Sequence, residues 1–383
     1  MNCLVTGNVV DGPDLGKLRS ALSETLGAAD AILCGSGSLA LEMALRACGV
    51  GAGDQVVIPT FCCSALVRPI IALGAVPMLA DVGAELNITA ATVEAALGKK
   101  TKAIIVPHLF GNPADIGSIT DLAKDKNVFV IDDAAQALGS TIDGRPVGSF
   151  GDVGIVGFGR EKVCSGLGGG AVVVANNDLA ERIDRDALPT PAAPMALRSC
   201  VSTVVWRRWR RWSLPLESAL ARSPRNGPDA APSPYREVAM ANLNAAVAFS
   251  LMRTLCENIA ARRARIGAYQ ELLGGDERVR LIAHRSGSAC LTQVVRVLPR
   301  RRGQDVAARV IESLGREGYE IQGSYVPIHL LPRHEQCVWD RLYHAEKIWP
   351  DLIELPCEPT VSLDHVERIA KIVKDSLGNL TST

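Results

Sequence analysis

At 383 residues the chain is longer than one core usually spans, so two lobes are expected. Lys plus Arg and Asp plus Glu both total 41, so no global charge recruits nucleic acid or an anionic membrane. The 11 cysteines are odd in number and scattered, with Cys62 and Cys63 adjacent; this suits neither a disulfide framework nor zinc and reads as reduced, small apolar residues.

The opening "MNCLVTGNVV" lacks a basic region followed by a long apolar one, so no signal peptide is expected. No apolar run reaches the ~18 residues of a spanning helix. A cytoplasmic protein is the expectation. Between residues 30 and 175, "AILC", "QVVIPT", "VPMLADV", "AIIVPHLF", "VFVIDD", "VGIVGF" and "AVVVAN" alternate with helical patterns such as "SLALEMALRACG" and "DIGSITDLAKDKN". Strands with no polar alternation are buried on both faces, which predicts a mostly parallel sheet in an α/β domain. Residues 186–234 break the pattern with proline, alanine and arginine and read as an insertion or connector. A long helix is expected over Met240–Leu273. The strand candidates "VRLIAH", "ACLTQVVRVLP" and "YEIQGSY" and two further helices then suit a smaller α+β domain. The expected division is 1–234 for the cofactor-binding domain and 235–383 for the smaller one.

Three pieces of the first domain fall at strand ends, where sites of such sheets lie. "CGSGSLALEMAL" puts Gly and Ser in a strand-to-helix turn, where free amides and the helix dipole favour a phosphate, although the same residues serve as ordinary caps. "VFVIDDAAQALGS" runs from an apolar strand into Asp132 and Asp133, a costly place for charge unless a cation meets it. "VGFGREKVCSGLGGGAVVV" places Lys162 in a glycine-rich turn between two strands. Together they match pyridoxal 5'-phosphate: a lysine to form a Schiff base with the aldehyde, an acid to keep the pyridine nitrogen protonated, and a helix N-terminus for the phosphate.

The order and wording of these motifs resemble the DegT/DnrJ/EryC1/StrS family of sugar aminotransferases, pyridoxal phosphate enzymes of aspartate aminotransferase fold type I. The resemblance covers about 30–175 and returns at 240–375, where "MANLNAAVA" and "VPIHLLP" carry it. It implies a large domain with a seven-stranded, mostly parallel sheet and a smaller C-terminal α+β domain. It implies Gly37, Ser38 and Leu39 at the phosphate, Asp133 at the pyridine nitrogen, Gln136 beside the ring, Lys162 at the Schiff base and His329 toward the sugar. It also implies a homodimer, L-glutamate as amino donor and a nucleotide-activated keto-sugar as acceptor. Three positions depart from the family. Gly157 stands where a serine usually meets the phosphate, Cys63 where an aromatic ring commonly stacks on the cofactor, and Glu237 where an asparagine reaches the neighbouring subunit's phosphate. A carboxylate there is repulsive unless Arg236 or another cation intervenes.

Two other functions compete with this one. "GSGSLA" at 35–40 fits a dinucleotide fingerprint, but the ribose acid should end the next strand, and Asp54 precedes it. A regulatory pseudoenzyme would explain the lost contacts and leave Asp133, Gln136 and Lys162 without purpose. In "VVWRRWRRWSLPL", Trp206, Trp209 and Trp212 would share a helix face among arginines, suited to packing, to a membrane interface or to a diphosphate. His334, His344 and His365 read as exposed. His108 reads either as a border of the site or as a core residue.

Overall fold

The computed structural model describes residues 7–164, 166–175, 177–184, 188–198, 200–202, 205, 237–298 and 305–378. The stretch at 206–212 lies outside the described residues, as does Arg236.

The large domain is built on a seven-stranded sheet. Its strands are β1 (Asp30–Cys34), β2 (Gln55–Pro59), β3 (Val76–Ala80), β4 (Thr101–Pro107), β5 (Phe129–Asp133), β8 (Val153–Gly157) and β9 (Gly170–Val174), in the order β1-β9-β8-β5-β4-β2-β3. A short hairpin, β6 (Thr141–Ile142) with β7 (Arg145–Pro146), lies between β5 and β8. Strands β3, β2, β4, β5 and β8 run parallel, and β9 runs against both β8 and β1. All five residues of β8 and of β9 are buried, as their unbroken apolar runs require. The helices are α1 (Pro13–Leu26), α2 (Gly37–Ala47), α3 (Val67–Ala72), α4 (Ala90–Ala96), α5 (Ile116–Lys126) and α6 (Asn177–Glu181). They cover both faces: α2 joins one cluster with Ile32, Ile58 and Ile105, and α5 joins the opposite one with Val57, Ile104 and Val130.

The long helix expected over Met240–Leu273 is two helices, α7 (Asn242–Met252) and α8 (Leu255–Leu273). Thr254 has φ −116° and its hydroxyl bonds back to the Leu251 carbonyl at 3.3 Å, so side chain competes with the helical ladder and the axis breaks. The break lets Ala245 and Ala248 of α7 and Leu255 and Ile259 of α8 pack beside α1 and β9, while Tyr269 and Leu273 enter the second core.

That second core lies under a four-stranded antiparallel sheet ordered β10-β11-β13-β12. Its strands are β10 (Val279–Leu281), β11 (Thr292–Val297), β12 (Gln322–Gly323) and β13 (Leu352–Pro356). Helices α9 (Val306–Arg316) and α11 (Leu363–Gly378) cover one face with Val310, Leu314, Ile369 and Val373, while α10 (Tyr343–Ile348) packs toward the large domain through Ala345 and Ile348. The ten described cysteines are free, and burial pushes the thiols of Cys34, Cys164 and Cys357 up to about 12, so they behave as the small apolar residues expected. Among the described residues no helix is long and apolar enough to cross a membrane, and no cluster of three or more His, Cys, Asp or Glu could hold a metal ion.

Candidate active site

The carboxyl ends of β1, β2, β4, β5 and β8 meet at one edge of the large sheet. Ser36 caps α2, its hydroxyl accepting from the Leu39 amide at 3.1 Å. Such a cap contributes about 1 kcal/mol. Leu39 is buried and its amide is spent on the cap, so the helix start offers the amides of Gly37 and Ser38, which have no carbonyl four residues back. The turn is held tightly, because a Cβ on Gly170 of β9 would stand 2.5 Å from the Ser36 carbonyl oxygen. Opposite Gly37 lies Gly157, whose Cα would be 3.5 Å from a Cβ on Gly37. A Cβ on Gly157 would in turn meet Ala135 Cβ at 3.2 Å and Lys162 Cε at 4.0 Å. The helix start and the end of β8 thus approach closely through small residues.

Asp133 ends β5 and is buried, with Oδ1 accepting from the Ala135 amide at 2.9 Å. Among the described residues no donor meets its other oxygen. Burial pushes its carboxyl up, against the Ala135 amide and the charge of Lys162, which pull it down. Lys162 lies on the β8–β9 loop, which is pinned where Phe158 and Gly169 bond through N and O at 2.9 Å and where the Gly168 amide reaches the Phe158 carbonyl. It is half-buried, and among the described residues it makes no hydrogen bond or ion pair. A helix start bordered by small residues, a buried acid short of a donor and a free amine fit, in turn, the phosphate, the pyridine nitrogen and the aldehyde of pyridoxal phosphate.

The neighbouring acid has another task. Asp132 takes Nε2 of His108 at 2.7 Å and the Phe150 amide at 2.8 Å, while His108 Nδ1 accepts from the Ala114 amide at 2.9 Å. His108 is fully buried with both nitrogens engaged, which settles it as a core residue bracing the end of β5. Gln136 accepts from the Phe110 amide at 3.0 Å and donates to the Tyr325 phenol at 3.0 Å, tying the large domain to the segment after β12. Tyr325 stacks on Phe110 with ring centres 5.9 Å apart and meets Phe61 edge-on. Half-buried Cys63 lies near this cluster, since its charge would act on the Tyr325 phenol.

His329 is brought to the end of β2. Its Nδ1 lies 2.7 Å from the Thr60 hydroxyl and its Nε2 3.0 Å from a Glu346 carboxylate oxygen, so both nitrogens are held by the protein. Glu237 is exposed, and the next residue's carbonyl accepts from the Gly35 amide at 2.8 Å, placing this segment against the phosphate turn. His334, expected to be exposed, is buried, because the short turn at Pro332–His334 folds back under Arg333, whose Nε donates to its Nε2 at 3.2 Å. Asp54 caps a turn through the Gly51 amide ahead of β2, so it is not placed as a ribose acid. The residues missed from the sequence, Thr60 and Tyr325, come from loops whose meeting with His329 and Gln136 no local spacing announces.

This fold and edge arrangement define an α/β enzyme of aspartate aminotransferase fold type I. An aminotransferase, TlmJ, from Streptoalloteichus hindustanus superposes with TM-score 0.79 at 24% identity, covering 99% of this chain and 95% of that one. An aminotransferase from Psychrobacter cryohalolentis gives 0.81 at 22% identity with the same coverage. The sequence profile of the DegT/DnrJ/EryC1/StrS aminotransferase family matches residues 1–374, and the chain belongs to that family. The GDP-perosamine synthase of Caulobacter vibrioides is 27% identical over 361 residues, 92% of this chain and 87% of that protein. The GDP-perosamine synthase of Vibrio cholerae is 35% identical over 181 residues, 46% of this chain and 49% of that one. A UDP-N-acetyl-3-dehydro-alpha-D-glucosamine 3-aminotransferase of Acidithiobacillus ferrooxidans is 41% identical over 168 residues, 43% and 46% of the two chains. These last two matches span about half the length of the relatives concerned.

Proposed function

We propose that the protein is a pyridoxal phosphate-dependent aminotransferase that moves an amino group from an α-amino acid to a keto-sugar carried on a nucleotide. The observation that carries this reading is the buried Asp133 carboxyl, short of a donor and within electrostatic reach of the unengaged Lys162 amine. Membership of an aminotransferase family and likeness to proteins named for GDP- and UDP-sugars support the substrate class.

When bound, the cofactor supplies the electron sink that makes a donor's α-proton removable. The chain's residues do the rest. The Gly37 and Ser38 amides hold the phosphate at the start of α2, and Gly157 leaves it room. Asp133 keeps a proton on the pyridine nitrogen; the positive partner returns its carboxyl to the charged form that burial disfavours. The Lys162 amine holds the aldehyde and, once released, takes the proton from the donor's α-carbon. Gln136, fixed at both ends, sets the ring's edge, and Cys63 packs near its face. A homodimer and a cytoplasmic location belong to the same proposal.

The test is uptake of pyridoxal phosphate by the purified protein, followed by reverse amino transfer from GDP-perosamine to 2-oxoglutarate. Cofactor uptake with formation of L-glutamate supports the reading. Absence of cofactor uptake contradicts it.

A further inference from the structure

Beyond β9 and α6 the chain enters a helix of which residues 193–198, 200–202 and 205 are described. Its start is rooted in the large domain: the Pro189 carbonyl accepts from the Ala239 amide at 3.0 Å, Leu188 packs on the cluster that holds α2, and Ala196 is buried. Turned away from that root, Leu197, Val201 and Val205 are 39%, 59% and 58% exposed. Steps of four residues set all three on one helix face. Nine large apolar side chains are exposed among the described residues, and three of them form this one stripe. A contiguous apolar face in water marks a place where something docks.

Charge selects the occupant. Between Asp186 and Glu217 the sequence holds no acid and five arginines, Arg198, Arg207, Arg208, Arg210 and Arg211, with Trp206, Trp209 and Trp212 interleaved, in a chain whose charges balance overall. Covalent reach keeps Arg207 and Arg208 within about 11 Å of Val205, whatever path the backbone takes. A second copy would set these arginines against their own kind. A nucleic acid would stack its bases on aromatic rings and find no use for three aliphatic side chains. An anionic bilayer takes both features, the aliphatic stripe at the acyl boundary and the arginines among the phosphates.

We propose that the face formed by Leu197, Val201 and Val205 docks on an anionic lipid bilayer, with the arginines that follow it in sequence supplying the attraction to the lipid phosphates. The Arg160 guanidinium donates to the Ser202 hydroxyl at 2.8 Å, so the helix is tied to the loop that carries Lys162. Docking therefore holds that loop close to the membrane surface. The proposal stands whether or not the protein transfers an amino group, because its evidence lies outside the candidate active site.

The experiment is co-sedimentation of the full chain with vesicles of equal parts phosphatidylglycerol and phosphatidylcholine, and with vesicles of phosphatidylcholine alone. Partitioning onto the anionic vesicles is expected to be at least about 10-fold stronger at ~0.1 M salt and to fall at least about fivefold at ~0.5 M. Leu197→Ser, Val201→Ser and Val205→Ser together should weaken it at least about 10-fold. These side chains are exposed, so thermal unfolding of that variant should match the parent. Arg207→Gln, Arg208→Gln, Arg210→Gln and Arg211→Gln together should remove the difference between the two kinds of vesicle. No sedimentation with vesicles, equal partitioning onto both kinds, or partitioning unchanged in either variant overturns the proposal. So does sedimentation without vesicles that grows with protein concentration, which would put a second copy on the face, or binding to a single-stranded oligonucleotide in place of the vesicles.

Discussion

Gly157 and Lys162 share one small space. A Cβ on Gly157 would lie 4.0 Å from the lysine Cε, in ordinary contact, and 3.2 Å from Ala135 Cβ, which is tight. Gly157→Ser restores the hydroxyl that the family usually places at the phosphate. A charge-assisted hydrogen bond contributes about 1.5–3 kcal/mol, and a shift of Ala135 by a few tenths of an ångström gives part of it back. The variant should bind pyridoxal phosphate about three- to tenfold more tightly. Equilibrium dialysis checks this, and weaker binding would mean that Ala135 does not yield.

Lys162→Ala should remove amino transfer, a loss of at least about 10⁴-fold, because one amine both holds the aldehyde and moves the proton. Stability should barely change, since Lys162 has no hydrogen bond or ion pair among the described residues. Thermal unfolding of the cofactor-free protein within about 2 °C of the parent is expected.

Asp133→Asn separates chemistry from folding. Activity should fall at least about 10²-fold, because a neutral amide does not hold a proton on the ring nitrogen. Burial raises the Asp133 carboxyl in the cofactor-free protein, so the folded state binds the proton more tightly than the unfolded chain. Its contribution to stability is present at low pH and declines as pH rises from the ordinary carboxylate range through the raised one. The Asn variant should therefore be as stable as the parent or more so near neutrality without cofactor, as read by urea unfolding at several pH values.

Glu354 gives a second pH signature with a defined window. Its carboxyl ordinarily titrates near 4.5 and is raised to about 7, so stability declines between those values and stays lower above them. Removal of that penalty in E354Q should stabilise the cofactor-free protein above pH 7 by about 1–3 kcal/mol and have little effect at pH 4. The unfolding midpoint in urea at the two pH values is the measurement.

Thr60, His329 and Glu346 form a chain across 269 residues of sequence separation at its first link. His329→Ala leaves the fully buried Thr60 hydroxyl without its ring partner and opens a gap against Trp339, whose ring centre is 5.6 Å away. A loss of about 2 kcal/mol is expected, against less than about 1 kcal/mol for Glu346→Ala, whose side chain is half exposed. Equal losses would contradict this ordering.

The large domain was legible because its buried strands leave unbroken apolar runs, and the candidate residues Asp133, Gln136 and Lys162 could be named because they lie at or just beyond strand ends. Gly37, Ser38 and Leu39 were named from one turn, and the cap at Ser36 takes up the Leu39 amide. The break at Thr254 was hidden because the apolar pattern continues through it. Tyr325 was hidden for a different reason: β12 is only Gln322–Gly323, and the phenol meets Gln136 only once β13 packs its Leu352 face on the large domain.

The most direct measurement is borohydride reduction of the protein after incubation with pyridoxal phosphate, with mass mapping of the digested chain. A phosphopyridoxyl group is expected on the peptide containing Lys162, and its absence is expected in Lys162→Ala. A label on another lysine, or no label on the parent protein, would contradict it.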